Sequence, residues 1–195
     1  YHSPSGRSCY TFCMCPGGYV IPSSCQKEQL VVNGMSYASR SGENANSALL
    51  VQINDSDYGN ELFAGLKYQE ELERKAFLMG QDYKACVQLA KDYLAHRVSK
   101  QFESVVPTYS IGTTFCDLND LFSKEVNLAL HEALEHFEKK VPGFVSSGAI
   151  LSAVESRSSS SVRLVRDKES YISNIQGLYP SGEGSGYAGG IMTSA

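Results

Sequence analysis

Hydrophobic positions change their period twice along this chain. Over residues 1–55 they come in short runs, "CYTFCM", "GYVIP", "QLVVNG" and "SALLVQIN", parted by Gly, Pro, Ser and Asn. Runs of this kind predict short strands. Pro16-Gly17-Gly18 reads as a strong turn, and Asn33-Gly34 as a second turn at a hairpin tip. From about residue 58 the spacing becomes helical. Leu62, Leu66, Gln69, Leu72, Ala76 and Met79 recur on one face, with Glu70, Glu71, Glu73, Arg74 and Lys75 between them. Asp82 is placed to cap a second helix carrying Cys86, Leu89, Ala90, Tyr93 and Leu94. Residues 99–116 read as a connection broken at Pro107 and Gly112. A third helix is predicted from near Asp117, with Phe122, Val126, Leu130, Ala133, Phe137 and Val141 as its apolar stripe and Pro142-Gly143 as its stop.

Beyond about residue 147 the pattern returns to strands. "GAILSAVES" and "SVRLVRD" read as two of them, and "GLYPSGEG" as a short strand, a glycine turn and the start of a helix. Strands, a helical block, then strands predict an α+β fold. A mixed or antiparallel sheet is expected from the N- and C-terminal parts, residues 1–56 and 144–181. A helical insertion subdomain, residues 57–143, would lie between them, and residues 182–195 would open a further helix.

The chemistry of the whole chain narrows its class. A net charge of −4 gives no basic surface for a nucleic-acid backbone. No run of about 18 apolar residues offers a membrane span. The first residues, "YHSPSGRSCYTF", lack an initiator Met and any signal-peptide pattern, which suggests an excised piece of a longer cytoplasmic protein. The six cysteines, Cys9, Cys13, Cys15, Cys25, Cys86 and Cys116, are then expected as free thiols.

Several stretches could carry chemistry. In "HEALEH" the two histidines stand five apart, about 140° around a helix by its 3.6-residue period, so solvated surface is favoured over a metal site and no metal is expected. Cys13 and Cys15 share one face of a strand. They read either as small apolar residues packed under the Pro-Gly-Gly turn or as a thiol pair, although a disulfide over one intervening residue is strained. Arg157 and Arg163, in "ESRSSSSVR", and Arg40, in "SYASRSGENANSA", are candidate anion binders. The closing stretch "GLYPSGEGSGYAGGIMTSA" says most. Glycines let backbone approach a ligand closely, and a helix N-terminus behind them would favour an anion or an electron-rich heteroatom.

Taken in order, "TFCMCPGGYVI", "VVNGMSYASRSGENANSALLV", "LERKAF", "KVPGF", "ESRSSSSVRLVRD" and the closing stretch resemble the bacterial FAD-dependent dehydrogenases, a branch of the two-dinucleotide-fold flavoprotein superfamily. The resemblance spans nearly the whole chain. It implies the substrate domain of an FAD-dependent oxidoreductase, which forms one wall of the flavin site and re-enters the FAD domain at residues 182–195. It departs from the family pattern at Ser161, where Pro is expected, and at Ser181, where Cys or Ala is frequent.

By residue matching, Gly182, Glu183 and Gly184 would form the turn at the cofactor. Gly186, Tyr187, Ala188, Gly189, Gly190 and Ile191 would lie beside the flavin ring. Cys13 and Cys15 become candidate catalytic groups, and Arg40, Arg157 and Arg163 candidate substrate-binding groups. The partners implied are the Rossmann FAD domain of the same polypeptide, a small-molecule substrate and a further copy of the chain in a homo-oligomer. Without its Rossmann half the segment is expected to bind FAD weakly or not at all and to be inactive alone. A rival expectation makes the helical insertion a non-catalytic docking surface for another protein.

Overall fold

In the computed structural model, residues 1–145 and 148–189 are described. The chain falls into two compact units, residues 1–53 with 72–155 and residues 54–71 with those from 156 onward. Helices and strands both contribute, in an α+β architecture.

In the first unit, strand β1 (Cys9–Pro22) is the centre of a three-stranded antiparallel sheet. Its later half pairs with β2 (Val32–Ser36) and its earlier half with β3 (Asn44–Val51). The Pro-Gly-Gly turn expected at residues 16–18 does not end the strand. The register against β3 shifts instead between Phe12 and Cys15 and again between Cys15 and Gly18. Cys13 (φ 53°) and Gly17 (φ 55°) take left-handed backbone here, so the extra residues bulge while pairing resumes beyond them. Asn33-Gly34 likewise lies inside β2, opposite Ile21 and Val20, and not at a hairpin tip.

Helix α1 (Asp55–Tyr58) is a single turn, and α2 (Ala64–Gly80) follows. The predicted stripe of α2 is only partly the buried one. Ala76 is buried, but so is Glu73, while Leu62 and Leu66 are exposed. The second helix expected after Asp82 is mostly a strand. Strand β4 (Ala85–Leu89) runs there, followed by a short helix α3 (Ala90–Leu94). Strand β5 (Thr113–Phe115) then pairs parallel to β4, and β6 (Ile150–Ala153) antiparallel on its other side. The segment 57–143 is therefore not helical throughout. All five residues of β4 are buried because both of its edges are paired and both its faces are covered. Such a strand shows no polar alternation to mark it.

The expected pairing of late strands with N-terminal ones also resolves differently. Strand β6 pairs with β4, and a backbone hydrogen bond from Val32 N to Val154 O (2.9 Å) ties β2 to the residue after β6. Helix α4 (Lys124–Lys140) carries most of the predicted stripe but starts after the expected Asp117, and Phe122 and Val141 lie outside it. Ser123 caps it by accepting from Val126 N, and Val126, Leu130, Ala133 and Phe137 are buried. A 3₁₀ turn, Leu118–Asp120, precedes it with Asp117 as cap. Leu30, Ala76, Cys86, Tyr93, Val126 and Leu134 meet in the largest apolar core.

A chain of buried polar groups crosses that core, as burial without partners would cost several times a net hydrogen bond. Tyr93 donates to Asn127 Oδ1 (2.7 Å), and Gln88 takes Leu118 N (2.7 Å) while donating to the Arg97 carbonyl (2.8 Å). Asp92 accepts from Ser99 Oγ (2.7 Å) and Arg97 Nε (2.6 Å). Burial by itself would raise the Asp92 carboxyl. The Ser99 hydroxyl and the Arg97 guanidinium outweigh it and hold the group below its usual range. A carboxyl depressed on folding contributes stability above its unfolded pKa, about 3.9, and loses that contribution as pH falls through the folded value. Thermal melts should therefore show the protein losing stability below about pH 4, and Asp92→Asn should flatten that acid limb. An unchanged acid limb in the variant would show that Asp92 is not its source.

Candidate functional site

The first unit holds Cys13, Cys15 and Arg40. Cys13 is exposed on the β1 bulge and Cys15 half-buried, and Cys15 Sγ donates to the Cys13 carbonyl (3.1 Å). Partial loss of water raises the Cys13 thiol, and the charges of Glu155 and Cys15 add to the effect. A raised thiol is mostly protonated near neutral pH and is a poor nucleophile. Arg40 lies in a left-handed turn (φ 48°), and its carbonyl faces Gly17, where a Cβ would come within 1.9 Å. Gly42 N donates to the Gly17 carbonyl (3.0 Å). Gly17 of the Cys-Met-Cys-Pro-Gly-Gly block thus admits the 40–42 backbone against β1.

The histidines of α4 do not share a solvated face. His131 is half-buried, with Tyr93 at 4.5 Å and His96 at 4.8 Å between ring centroids, and its Nε2 meets Asn119 Oδ1 at 3.0 Å. Burial lowers its pKa, and the neighbouring His96 lowers it further. His136 stacks on Tyr1 at 4.0 Å. No group of three metal-ligating side chains gathers among the described residues.

The second unit brings two of the sequence-predicted blocks together. The glycine turn is one 3₁₀ turn, Glu183–Ser185, entered at Gly182 (φ 74°) and left at Gly186 (φ 82°). It closes through Gly186 N to Glu183 O (2.8 Å) and Tyr187 N to Gly182 O (3.1 Å). The arginine–serine block packs on it. Leu164 N donates to Ser185 O (3.2 Å), Ser160 Oγ to Gly184 O (3.3 Å) and Arg163 Nε to Gly186 O (3.0 Å). The strand expected over "SVRLVRD" is absent: Leu164 N bonds the turn instead of a neighbouring strand, and only a bridge between Arg166 and Ser173 remains. Arg157, in the same loop, is half-buried and already engaged.

The helix expected behind the turn does not begin within residues 186–189, and Gly190 and Ile191 lie outside the described residues. The sequence reading passed over Arg166. Its guanidinium lies 3.9 Å from the Tyr187 ring centroid and 4.8 Å from that of Tyr171, and Nη1 donates to the Pro180 carbonyl. The signal available was the Arg-x-x-Arg spacing of 163 and 166 beside a tyrosine-rich tail.

The glycines of the turn divide into two kinds. At Gly186 a Cβ would meet Val162 O at 2.8 Å and Arg163 Cα at 3.0 Å, so this glycine serves the protein's own packing. At Gly182, Gly184 and Gly189 a Cβ would meet nothing within 4 Å among the described residues. Among the described residues, those three leave their backbone bare.

Residues 1–158 match the family described as FAD-dependent protein, C-terminal domain-like. An uncharacterized protein of Clostridium beijerinckii is 43% identical over 191 residues, which are 97% of this chain and 36% of that protein. The chain thus spans about a third of the length of that relative. A flat, heteroatom-rich cofactor needs backbone it can approach without side chains intervening, and the bare face of Gly182, Gly184 and Gly189 fits that need. No helix among the described residues is long and apolar enough to cross a membrane.

Proposed function

We propose, for a chain that belongs to the FAD-dependent protein C-terminal domain-like family, that it is the substrate-side part of an FAD-dependent oxidoreductase and forms one wall of the flavin site. The observation that carries this reading is the bare backbone at Gly182, Gly184 and Gly189, held in place by the arginine–serine block. Bound FAD supplies hydride or electron transfer at its ring system, so few protein groups need to react. The chain's own task is to position and enclose. Gly182 and Gly184 admit the cofactor to backbone distance, and Arg163 locks the exit of the turn through the Gly186 carbonyl. Tyr187 lies under Arg163 and Arg166, which fixes its ring beside the turn.

The dipole of a helix starting at 186 plays no part in this reading, since 186–189 are not helical. Cys13 has no catalytic part in this reading, in line with its raised thiol. The FAD domain of the longer polypeptide would supply the remaining contacts. The test is direct: full-length protein purified without added cofactor should carry FAD that substrate or dithionite bleaches reversibly. Protein that folds, takes up no FAD on reconstitution and shows no flavin spectrum would end the reading.

A further inference from the structure

The second unit contains an open cavity of about 570 Å³, lined by Arg163, Leu164, Val165, Arg166, Asp167, Ile172, Ser173 and Asn174. Its two guanidiniums are unusual in their partners. Arg166 lies over Tyr171 and Tyr187, and Arg163 over Tyr187 at 5.1 Å, all within cation–π range. Each donates to one backbone carbonyl, Arg163 to Gly186 O and Arg166 to Pro180 O. No carboxylate is paired with either among the described residues. An arginine carries five N–H donors, so each keeps donors for another acceptor.

Asp167, next in sequence, forms no ion pair with either among the described residues. Its Oδ1 is taken by Glu169 N (3.0 Å), Ser170 N (2.8 Å) and Ser170 Oγ (2.9 Å), which hold the carboxyl below its usual range. Two guanidiniums fixed by aromatic rings with donors to spare are arranged for a planar oxyanion.

The lining also discriminates among anions. Two arginines and one aspartate leave a net charge of about +1, which matches a monoanion better than a dianion. Leu164, Val165 and Ile172 give the rest of the cavity apolar surface. A phosphate group would gain nothing from those walls, whereas the hydrocarbon body of an organic acid would. We infer that this cavity binds the carboxylate of a small organic acid, with Arg163 and Arg166 on its oxygens and Leu164, Val165 and Ile172 along its body. If the flavin reading above also holds, such an acid is the substrate class of the oxidoreductase.

The test is calorimetry on the full-length protein with hexanoate, acetate and inorganic phosphate as probes. Hexanoate should bind, acetate should bind more weakly for want of an apolar body, and phosphate should not displace hexanoate. Arg166→Ala should weaken hexanoate by about tenfold to a hundredfold, the range for a lost charge-assisted hydrogen bond. Because Arg166 also braces the turn, Asn174→Asp is the second variant. Asn174 is exposed on the cavity wall, and an added negative charge there should weaken hexanoate without removing a contact. Phosphate binding as tightly as hexanoate, hexanoate not binding at all, or both variants binding it like the wild type would overturn the inference. FAD content is read separately by absorbance. Protein with FAD and no hexanoate affinity defeats the carboxylate site alone, and hexanoate affinity in FAD-free protein supports the site while counting against the flavin reading.

Discussion

Gly17→Ala should lower the stability of the protein by about 2–5 kcal/mol. The expectation has two separable parts. Gly17 takes φ 55°, and an L side chain in left-handed backbone costs about 1–2 kcal/mol. The added Cβ would also stand 1.9 Å from the Arg40 carbonyl oxygen, 2.3 Å from its carbon and 2.9 Å from Ser41 N. These are backbone atoms, so relief requires moving the 40–42 loop, which Gly42 N anchors to Gly17 O. Overpacking of that kind costs about 1–3 kcal/mol. The unfolded-state benefit of replacing glycine, about 0.4–1 kcal/mol, is too small to compensate.

Gly112→Ala isolates the first part. It also has positive φ (96°), but its Cβ would meet nothing within 4 Å, so only the conformational cost applies. Urea denaturation of the three proteins should place Gly17→Ala well below Gly112→Ala, with Gly112→Ala modestly below wild type. Equal midpoints for the two variants would mean that the 40–42 loop does not press on β1. Against a typical total of about 5–15 kcal/mol, the loss at Gly17 could unfold the domain. The motif "CPGG" is then a structural device, and its glycines need no cofactor to explain them.

That outcome bears on what the sequence could and could not show. The stripe of helix α4 was legible because its buried face repeats at 3.6 residues, but its start was not, since Asp117 caps a separate 3₁₀ turn and Ser123 the helix itself. Strand β4 was not. Cys86, Leu89, Ala90 and Tyr93 satisfy a helical period by coincidence, whereas the buried Gln88, bonded to Arg97 O and Leu118 N, belongs to a strand covered on both sides. No local pattern separates a fully buried five-residue strand from a helix turn.

"SVRLVRD" failed in the opposite sense. It is rich in β-branched and apolar residues like a strand, yet Leu164 N bonds Ser185 O and the Arg163 side chain Gly186 O, a tertiary preference invisible locally. In the candidate site, the glycine turn at Gly182–Gly186 was visible from composition, while its assignment to a cofactor came only from the family resemblance. Arg166 was not, because its role depends on Tyr171 and Tyr187 arriving from either side.

The same distinction between glycines that serve the protein and glycines left bare gives the second large effect. Gly184→Ala should leave the stability of the full-length protein unchanged and weaken FAD by about 5- to 150-fold. Gly184 has no positive φ, and its Cβ would meet nothing, so the apoprotein has no reason to object. The methyl group would instead occupy the space that a cofactor approaching the backbone must use. An intruding methyl costs about 1–3 kcal/mol, and each 1.4 kcal/mol is tenfold in affinity.

Gly186→Ala should behave in the reverse order. Its φ of 82° and the contacts of 2.8 Å to Val162 O and 3.0 Å to Arg163 Cα make alanine a structural lesion, which should separate the arginine–serine block from the turn and lower the melting temperature first. FAD titration and thermal melts on both variants distinguish the cases. A Gly184→Ala protein that melts and binds FAD like the wild type would move the cofactor away from this turn. One that keeps its melting temperature and loses FAD would place the cofactor against the backbone at residue 184, since no contact within the protein is altered there.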